Sequence, residues 1–209
     1  MSSLDNIIKQ TENVTLVAAT KYVDSRQMLK LLDYNILNFG ENRVDSFLQK
    51  YEELKDYNQI KWHFIGTLQT NKVKKMINKI SYLHSLNSIK LASFIEKYRT
   101  SPLDCFLEIN LTCSSTKTGI LPNEVIDTLN QIKSFKNVNI IGLMTMTEPD
   151  MIDKEKEQIF TQLNSLKQEL NNLGFHNIKE LSMGMSDDYL IAISCGATFV
   201  RLGRILFSK

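Results

Sequence analysis

Short β-branched runs alternate with helix-period segments from one end of this chain to the other. The strand-like runs fall near residues 14–20, 36–39, 61–65, 81–84, 103–109, 138–144, 179–182 and 197–201, most of them rich in Val, Ile, Leu or aromatic residues. Their length and apolar continuity predict strands covered on both faces. Between them, apolar residues recur at three- and four-residue intervals over Asp24 to Asp33, Val44 to Tyr57, Asn71 to Asn78, Ser88 to Arg99, Pro122 to Phe135, Asp150 to Leu173 and Ser186 to Ser194. Asp24 stands three residues before Gln27 and Ser88 three before Leu91, spacings that cap helix N-termini, and Pro122 fits the first turn of its helix.

Strand then helix, repeated with short loops through eight strands, predicts an α/β protein whose parallel sheet closes into a single (β/α)8 TIM-type barrel spanning residues 1–209. The rival is an open doubly wound sheet. No GxGxxG follows the first strand, and no stretch is left over for a second domain. With 209 residues, 43% of them apolar, the chain has enough material for one full core.

Charge and cysteine usage narrow the function classes. Twenty-five basic against twenty-three acidic side chains leave a formal charge of +2, and no basic cluster is interleaved with aromatics. Asn71-Lys72-Val73-Lys74-Lys75 reads as the solvated turns of a helix, so a small-molecule ligand is expected and nucleic acid is not. The start, Met1-Ser2-Ser3-Leu4-Asp5, has no signal character, and no run approaches the roughly 20 apolar residues of a membrane span, which predicts a cytoplasmic protein without membrane association. Cys105, Cys113 and Cys195 show no CxxC spacing, arguing against disulfides and a metal site. Cys105 and Cys195 read as core residues, and Cys113 falls in the polar, Gly-terminated segment 112–119, which reads as a mobile loop. Mixed charge on the helical faces predicts a monomer.

In such barrels, function gathers where strands end at the C-terminal face. The first strand ends in Lys21, where an ammonium gains nothing from packing. Two readings stand there: a desolvated, neutral amine that attacks a carbonyl compound as a Schiff base, or an ordinary lysine opening the next loop and reaching for water. Ser182-Met183-Gly184-Met185-Ser186 runs into a helix and Gly203-Arg204 follows the last strand, so N–H groups and a hydroxyl converge where these barrels bind phosphate. Arg201 stands one strand from Lys21 around the closed ring. This set suits pyridoxal 5'-phosphate (PLP): the lysine takes the aldehyde, the glycine exits the phosphate, and Arg201 the ring nitrogen. An arginine there keeps the nitrogen unprotonated and weakens carbanion chemistry.

The segments FGENR, WHFIGTLQTNK, HSLNS, GLMTM, LSMGMSDD and VRLGRILF, in that order behind the strand-one lysine, resemble the pyridoxal phosphate homeostasis proteins, relatives of the alanine racemase barrel. The resemblance runs nearly end to end. It implies PLP on Lys21, Asn42 beside the cofactor, Ser182 with the Gly203 and Arg204 backbone on the phosphate, and Arg201 at the pyridine nitrogen. It also implies a family without an established reaction, thought to bind, store or deliver PLP, with PLP-dependent apoenzymes as recipients. Asn87 stands where the family pattern has an aspartate, and the chain closes on Phe207-Ser208-Lys209 without the usual glycine; neither touches the cofactor contacts. His63 and His84 can poise protons in the mouth or, as histidines on apolar strands, be satisfied structural residues, the reading favoured for His63. Met144 and Met146 read as packing, with Met144 able to lie against the ring.

Three functions are weighed: a non-catalytic PLP carrier, a PLP-dependent racemase or related isomerase, and a lysine aldolase. Racemases of this fold add a second domain that supplies the opposite-face base, and this chain ends with its barrel. Tyr22 is the one local substitute, yet neighbours on a strand point to opposite faces. The aldolase lacks a placed carboxylate base. The carrier is the expected function.

Overall fold

The computed structural model describes residues 3–112 and 118–207. Eight parallel strands close into a barrel in sequence order: β1 (Thr15–Ala19), β2 (Asn38–Glu41), β3 (Lys61–Phe64), β4 (Tyr82–Leu86), β5 (Leu103–Glu108), β6 (Val138–Met144), β7 (Glu180–Ser182) and β8 (Phe199–Leu202). Closure is direct, since Thr15, Leu16, Val17 and Ala18 pair with Phe199, Val200, Arg201 and Leu202. The expected barrel is therefore present, and β6 has the bounds its apolar run predicts.

The helices are α1 (Ser3–Gln10), α2 (Ser25–Leu32), α3 (Val44–Glu53), α4 (Val73–Met76), α5 (Ile89–Tyr98), α6 (Val125–Ile132), α7 (Asp153–Asn172), α8 (Tyr189–Ser194) and α9 (Arg204–Phe207). Asp24 and Gln27 form a reciprocal cap at α2, and the Leu91 N–H donates to Ser88 Oγ at 3.2 Å. The helical pattern over 71–78 condenses into one α turn flanked by 3-10 turns at Thr70–Lys72 and Ile77–Lys79. The first and last helices answer no sequence expectation.

The core lies in two places. Most of it fills the annulus between sheet and helices, where Phe39, Phe47, Phe64 and Phe160 are fully buried. Each such side chain contributes about 1.5–3 kcal/mol of transfer free energy. A second, smaller cluster of Val17, Phe106, Met144 and Phe199 plugs the bore itself. Cys113 and most of the 112–119 segment lie outside the described residues. Cys105 and Cys195 are free thiols, the first buried and the second half-buried. No helix among the described residues is long and apolar enough to cross a membrane.

Candidate functional site

Period-two alternation sends every second strand residue into the bore. Along β8 these are Phe199 and Arg201, continued by Gly203, and along β2 they are Asn38 and Gly40, continued by Asn42. The uppermost of them, with the loops that follow the strands, line a cavity of about 1060 Å³ at the C-terminal mouth. Lys21, Asn42, Met144, Arg201, Gly203 and Arg204 all line it. Six of the seven residues expected at the site thus share one space.

Ser182 does not. Its position on β7 pairs it with Phe199, a layer below Arg201, and it is fully buried among the groups of the bore. Ser182 Oγ meets Arg201 Nη1 and lies 2.7 Å from His84 Nδ1, leaving it beneath the cavity floor. Ser186 is among the hydroxyl residues that line the cavity, and its Oγ accepts the Gly203 N–H at 3.2 Å. Its signal was present in the second serine of LSMGMSDD. Gly184 permits the turn between the two serines: its φ is +91°, and a Cβ there would lie 2.6 Å from the Ala192 Cβ. Asp188 pins the same loop, accepting the Met185 N–H and the Thr147 hydroxyl, each at 2.6 Å.

Lys21 is exposed at the rim, with Nζ 4.9 Å from the centroid of the Tyr22 ring. Burial therefore does not strip this amine of water, because the strand ends at Ala19 and Lys21 opens a turn. For the same reason Tyr22 does not point away from Lys21: both line the cavity. The peptide before Lys21 is held firmly. The Thr20 N–H donates to the Gly40 carbonyl at 2.9 Å, its hydroxyl to Glu41 Oε1 at 2.6 Å, and its carbonyl accepts from Lys50 Nζ at 2.7 Å. Glu41 and Lys50 form a buried ion pair at 2.6 Å. Sequence reasoning placed Gly40 and Glu41 beyond the second strand; they lie within β2, and Glu41 faces α3 instead of solvent.

Arg201 forms the floor. It is 5% exposed, and Nη2 donates to the Thr145 carbonyl at 3.1 Å. Burial pushes its guanidinium down to about 10, against the opposing pull of Asp188 and Glu108, so it stays charged at neutral pH. On the far wall, Asn42 Oδ1 is buried without a hydrogen-bond partner among the described residues. Gly66 makes that wall possible, since a Cβ there would fall 2.2 Å from the Asn42 carbonyl oxygen. Met144 is buried at the cavity side, while Met146, expected in the packing, is exposed at the rim. Arg204 extends outward and pairs with Asp187 at 2.9 Å.

His63 and His84 are both fully buried in the bore, so His84 does not reach the mouth. His63 Nδ1 lies 2.9 Å from His84 Nε2, and His63 Nε2 lies 3.1 Å from Asn38 Oδ1. Burial lowers His63 to about 3, with a smaller push from Lys61. His84 is lowered well below the ordinary range by burial, then by His63 and Arg201. Of the two readings of His63, the structure shows the satisfied structural one, with both ring nitrogens partnered in the bore. Among the described residues no group of three or more His, Cys, Asp or Glu is placed to hold a metal ion.

A closed parallel barrel that brings an amine, a buried guanidinium and a hydroxyl–N–H pair to one mouth defines a small-molecule-binding barrel. The chain matches the family described as "Alanine racemase, N-terminal domain" over residues 4–209. It belongs to that family and, within it, to the pyridoxal phosphate homeostasis proteins. A relative of that name from Aquifex aeolicus is 36% identical over 197 residues, 93% of this chain and 86% of the relative. The PipY protein of Synechococcus elongatus, solved without PLP, superposes with a TM-score of 0.94 at 29% identity, covering 99% of this chain and 98% of that one. PipY with PLP bound gives 0.91 at 27% identity, covering 99% and 100%. Alanine racemase from Corynebacterium glutamicum shares the fold alone, with a TM-score of 0.77 at 11% identity over 99% of this chain and 59% of that chain.

Proposed function

We propose that this chain holds PLP in the mouth cavity as a Schiff base on Lys21, and that it serves PLP homeostasis as a carrier without turning over a substrate. The observation that carries the reading is the convergence of Lys21, Arg201 and the Ser186–Gly203 pair, from the neighbouring ends of β1, β7 and β8, on one cavity. The residues fit the group. Asn42 Oδ1 is a buried acceptor in need of a donor, Arg201 is a charged donor at the floor, and the cavity has ample room. Bound PLP would supply an aldehyde and an electron-accepting ring.

The Lys21 amine would condense with that aldehyde with loss of one water. Ser186, the Gly203 N–H and the backbone at Arg204 would hold the phosphate, a role that passes to Ser186 from Ser182. Arg201 would donate to the pyridine nitrogen and, being charged, would leave that nitrogen without a proton, which favours holding over carbanion chemistry. Met144 would lie against the ring. The names of the relatives and the PLP-bound PipY structure support this reading.

The test is spectral titration of the purified protein with PLP. A visible Schiff-base band is expected in the native chain, and Lys21→Ala should lose it with its fold kept; a variant that binds PLP with the native spectrum overturns the assignment. Release of PLP to a PLP-dependent apoenzyme, read as recovered activity of that enzyme, tests the carrier role. Large exposed apolar residues such as Ile152, Leu173 and Leu190 stand apart, just before α7, just after it and on α8, which supports a monomer.

Tyr22 favours one second reading. Its phenol shares the rim with Lys21, so racemisation of an amino acid has two groups near the mouth. Turnover of D- or L-amino acids that disappears in Tyr22→Phe would replace the carrier with the racemase.

A further inference from the structure

We propose that Asn38, His63 and His84, acting through Ser182, are positioning residues for Arg201: they form a one-directional hydrogen-bond chain through the bore that fixes the guanidinium at the cavity floor. The functional part of this proposal rests on the reading that Arg201 faces the PLP ring.

The direction of the chain follows from donor and acceptor inventory. A guanidinium only donates, so Ser182 Oγ accepts from Arg201 Nη1. The Ser182 proton then needs an acceptor. Among the described residues the only other partner of Ser182 Oγ is His84 Nδ1 at 2.7 Å. That nitrogen must be bare, which puts the His84 proton on Nε2. It points at His63 Nδ1, 2.9 Å away, which must also be bare. The His63 proton therefore sits on Nε2 and is donated to Asn38 Oδ1 at 3.1 Å.

The reverse order fails on one atom. If His84 Nδ1 donated to Ser182, the fully buried Ser182 proton would have no acceptor, and an orphaned buried donor costs about 1–3 kcal/mol. Both histidines are thus fixed as neutral Nε2–H tautomers. Burial acts in the same sense, holding both rings uncharged.

Packing makes the chain stiff. The His63 ring stacks on Tyr82 and the His84 ring on Phe106, each at 4.5 Å between centroids, and Phe199 lies against both rings. Five strands contribute: β2, β3, β4, β7 and β8. Arg201 is held at two points, the Ser182 hydroxyl and the Thr145 carbonyl, so its remaining N–H groups have a fixed orientation before any ligand arrives.

Two experiments test this. In cofactor-free protein labelled with ¹⁵N-histidine, long-range ¹H–¹⁵N spectra at neutral pH should show His63 and His84 both protonated on Nε2 alone, with His176 separable by its exposure. An Nδ1–H tautomer or an imidazolium at either position overturns the chain. In PLP titrations, Ser182→Ala should bind about tenfold more weakly, the loss of one hydrogen bond to a charged group, with a shifted visible band. Ser182→Thr, which keeps the hydroxyl, should recover both.

In an Arg201→Gln background, Ser182→Ala should add nothing further, which a merely structural serine would not predict. Should Ser182→Ala not fold, Asn38→Ala breaks the chain at its far end, with a smaller loss of affinity and displaced His63 nitrogen shifts. Native affinity and spectrum in the folded variants overturn the positioning role. Failure of the native protein to bind PLP overturns the functional reading and with it Arg201's role toward that ligand; wrong tautomers beside normal binding overturn the chain alone.

Discussion

Lys50 and Arg201 are both buried cations near the barrel mouth, each bonded to one backbone carbonyl and one side chain. They differ in what neutralises them. Lys50 faces out of the barrel, between β2 and α3, and its side-chain partner is the Glu41 carboxylate. Arg201 faces into the bore, its direct partners are a neutral hydroxyl and a carbonyl, and it lines a cavity. The first arrangement is complete within the chain. The second has no carboxylate bonded to it, only the longer-range pull of Asp188 and Glu108, and one side open to the cavity. A buried charge points to ligand binding when no counter-ion is bonded to it and it opens on a cavity.

Breaking the complete pair should have the largest effect on stability. Lys50→Met leaves the Glu41 carboxylate buried and uncompensated and should cost about 3–5 kcal/mol in urea unfolding. Because Lys50 also holds the Thr20 carbonyl, the same variant should weaken the PLP retention proposed for the adjacent Lys21. A loss below about 1 kcal/mol would place the pair among interactions the fold does not need.

The Arg201 side of the comparison is sharpened by pH. Both bore histidines have folded values below their unfolded values, so the unfolded chain binds more protons as pH falls. Stability is fully present above about 6.5, the ordinary histidine value, and should fall as pH drops toward His63's folded value of about 3. Each such histidine contributes a slope of about 1.4 kcal/mol per pH unit within that window. His63→Phe should flatten the dependence when midpoints are compared across pH 7, 5 and 4. An unchanged slope would contradict the neutral, buried state of that ring.

The smallest effect belongs to the third cation. Arg204 and Asp187 pair at 2.9 Å with both side chains 73% exposed. Water and salt screen such a pair, so Asp187→Asn should change stability by less than about 1 kcal/mol in thermal unfolding. A larger loss would mean that the pair orders the loop above the cavity.

Much of this was legible in the residues. Eight β-branched runs separated by helical periods specified the (β/α)8 barrel, because each run must be covered on both faces and short connections leave closure as the solution. Closure alone made Lys21 and Arg201 neighbours, and it did not require knowing where either side chain points. The ends of β2 were less legible, since Gly40 and Glu41 look like loop residues until Lys50 is seen beside the carboxylate.

What the sequence determined by itself was the number and order of the strands, the residues at their exits and the family. Tertiary structure alone decided depth. Alternation tells which residues face the bore, but the stagger between strands sets how high each one stands, and that stagger is a property of the closed ring. Hence Ser182 fell below the floor and Ser186 took the mouth. The same stagger lined up two histidines, a serine and an asparagine from distant parts of the chain behind one arginine, a juxtaposition that no local pattern encodes.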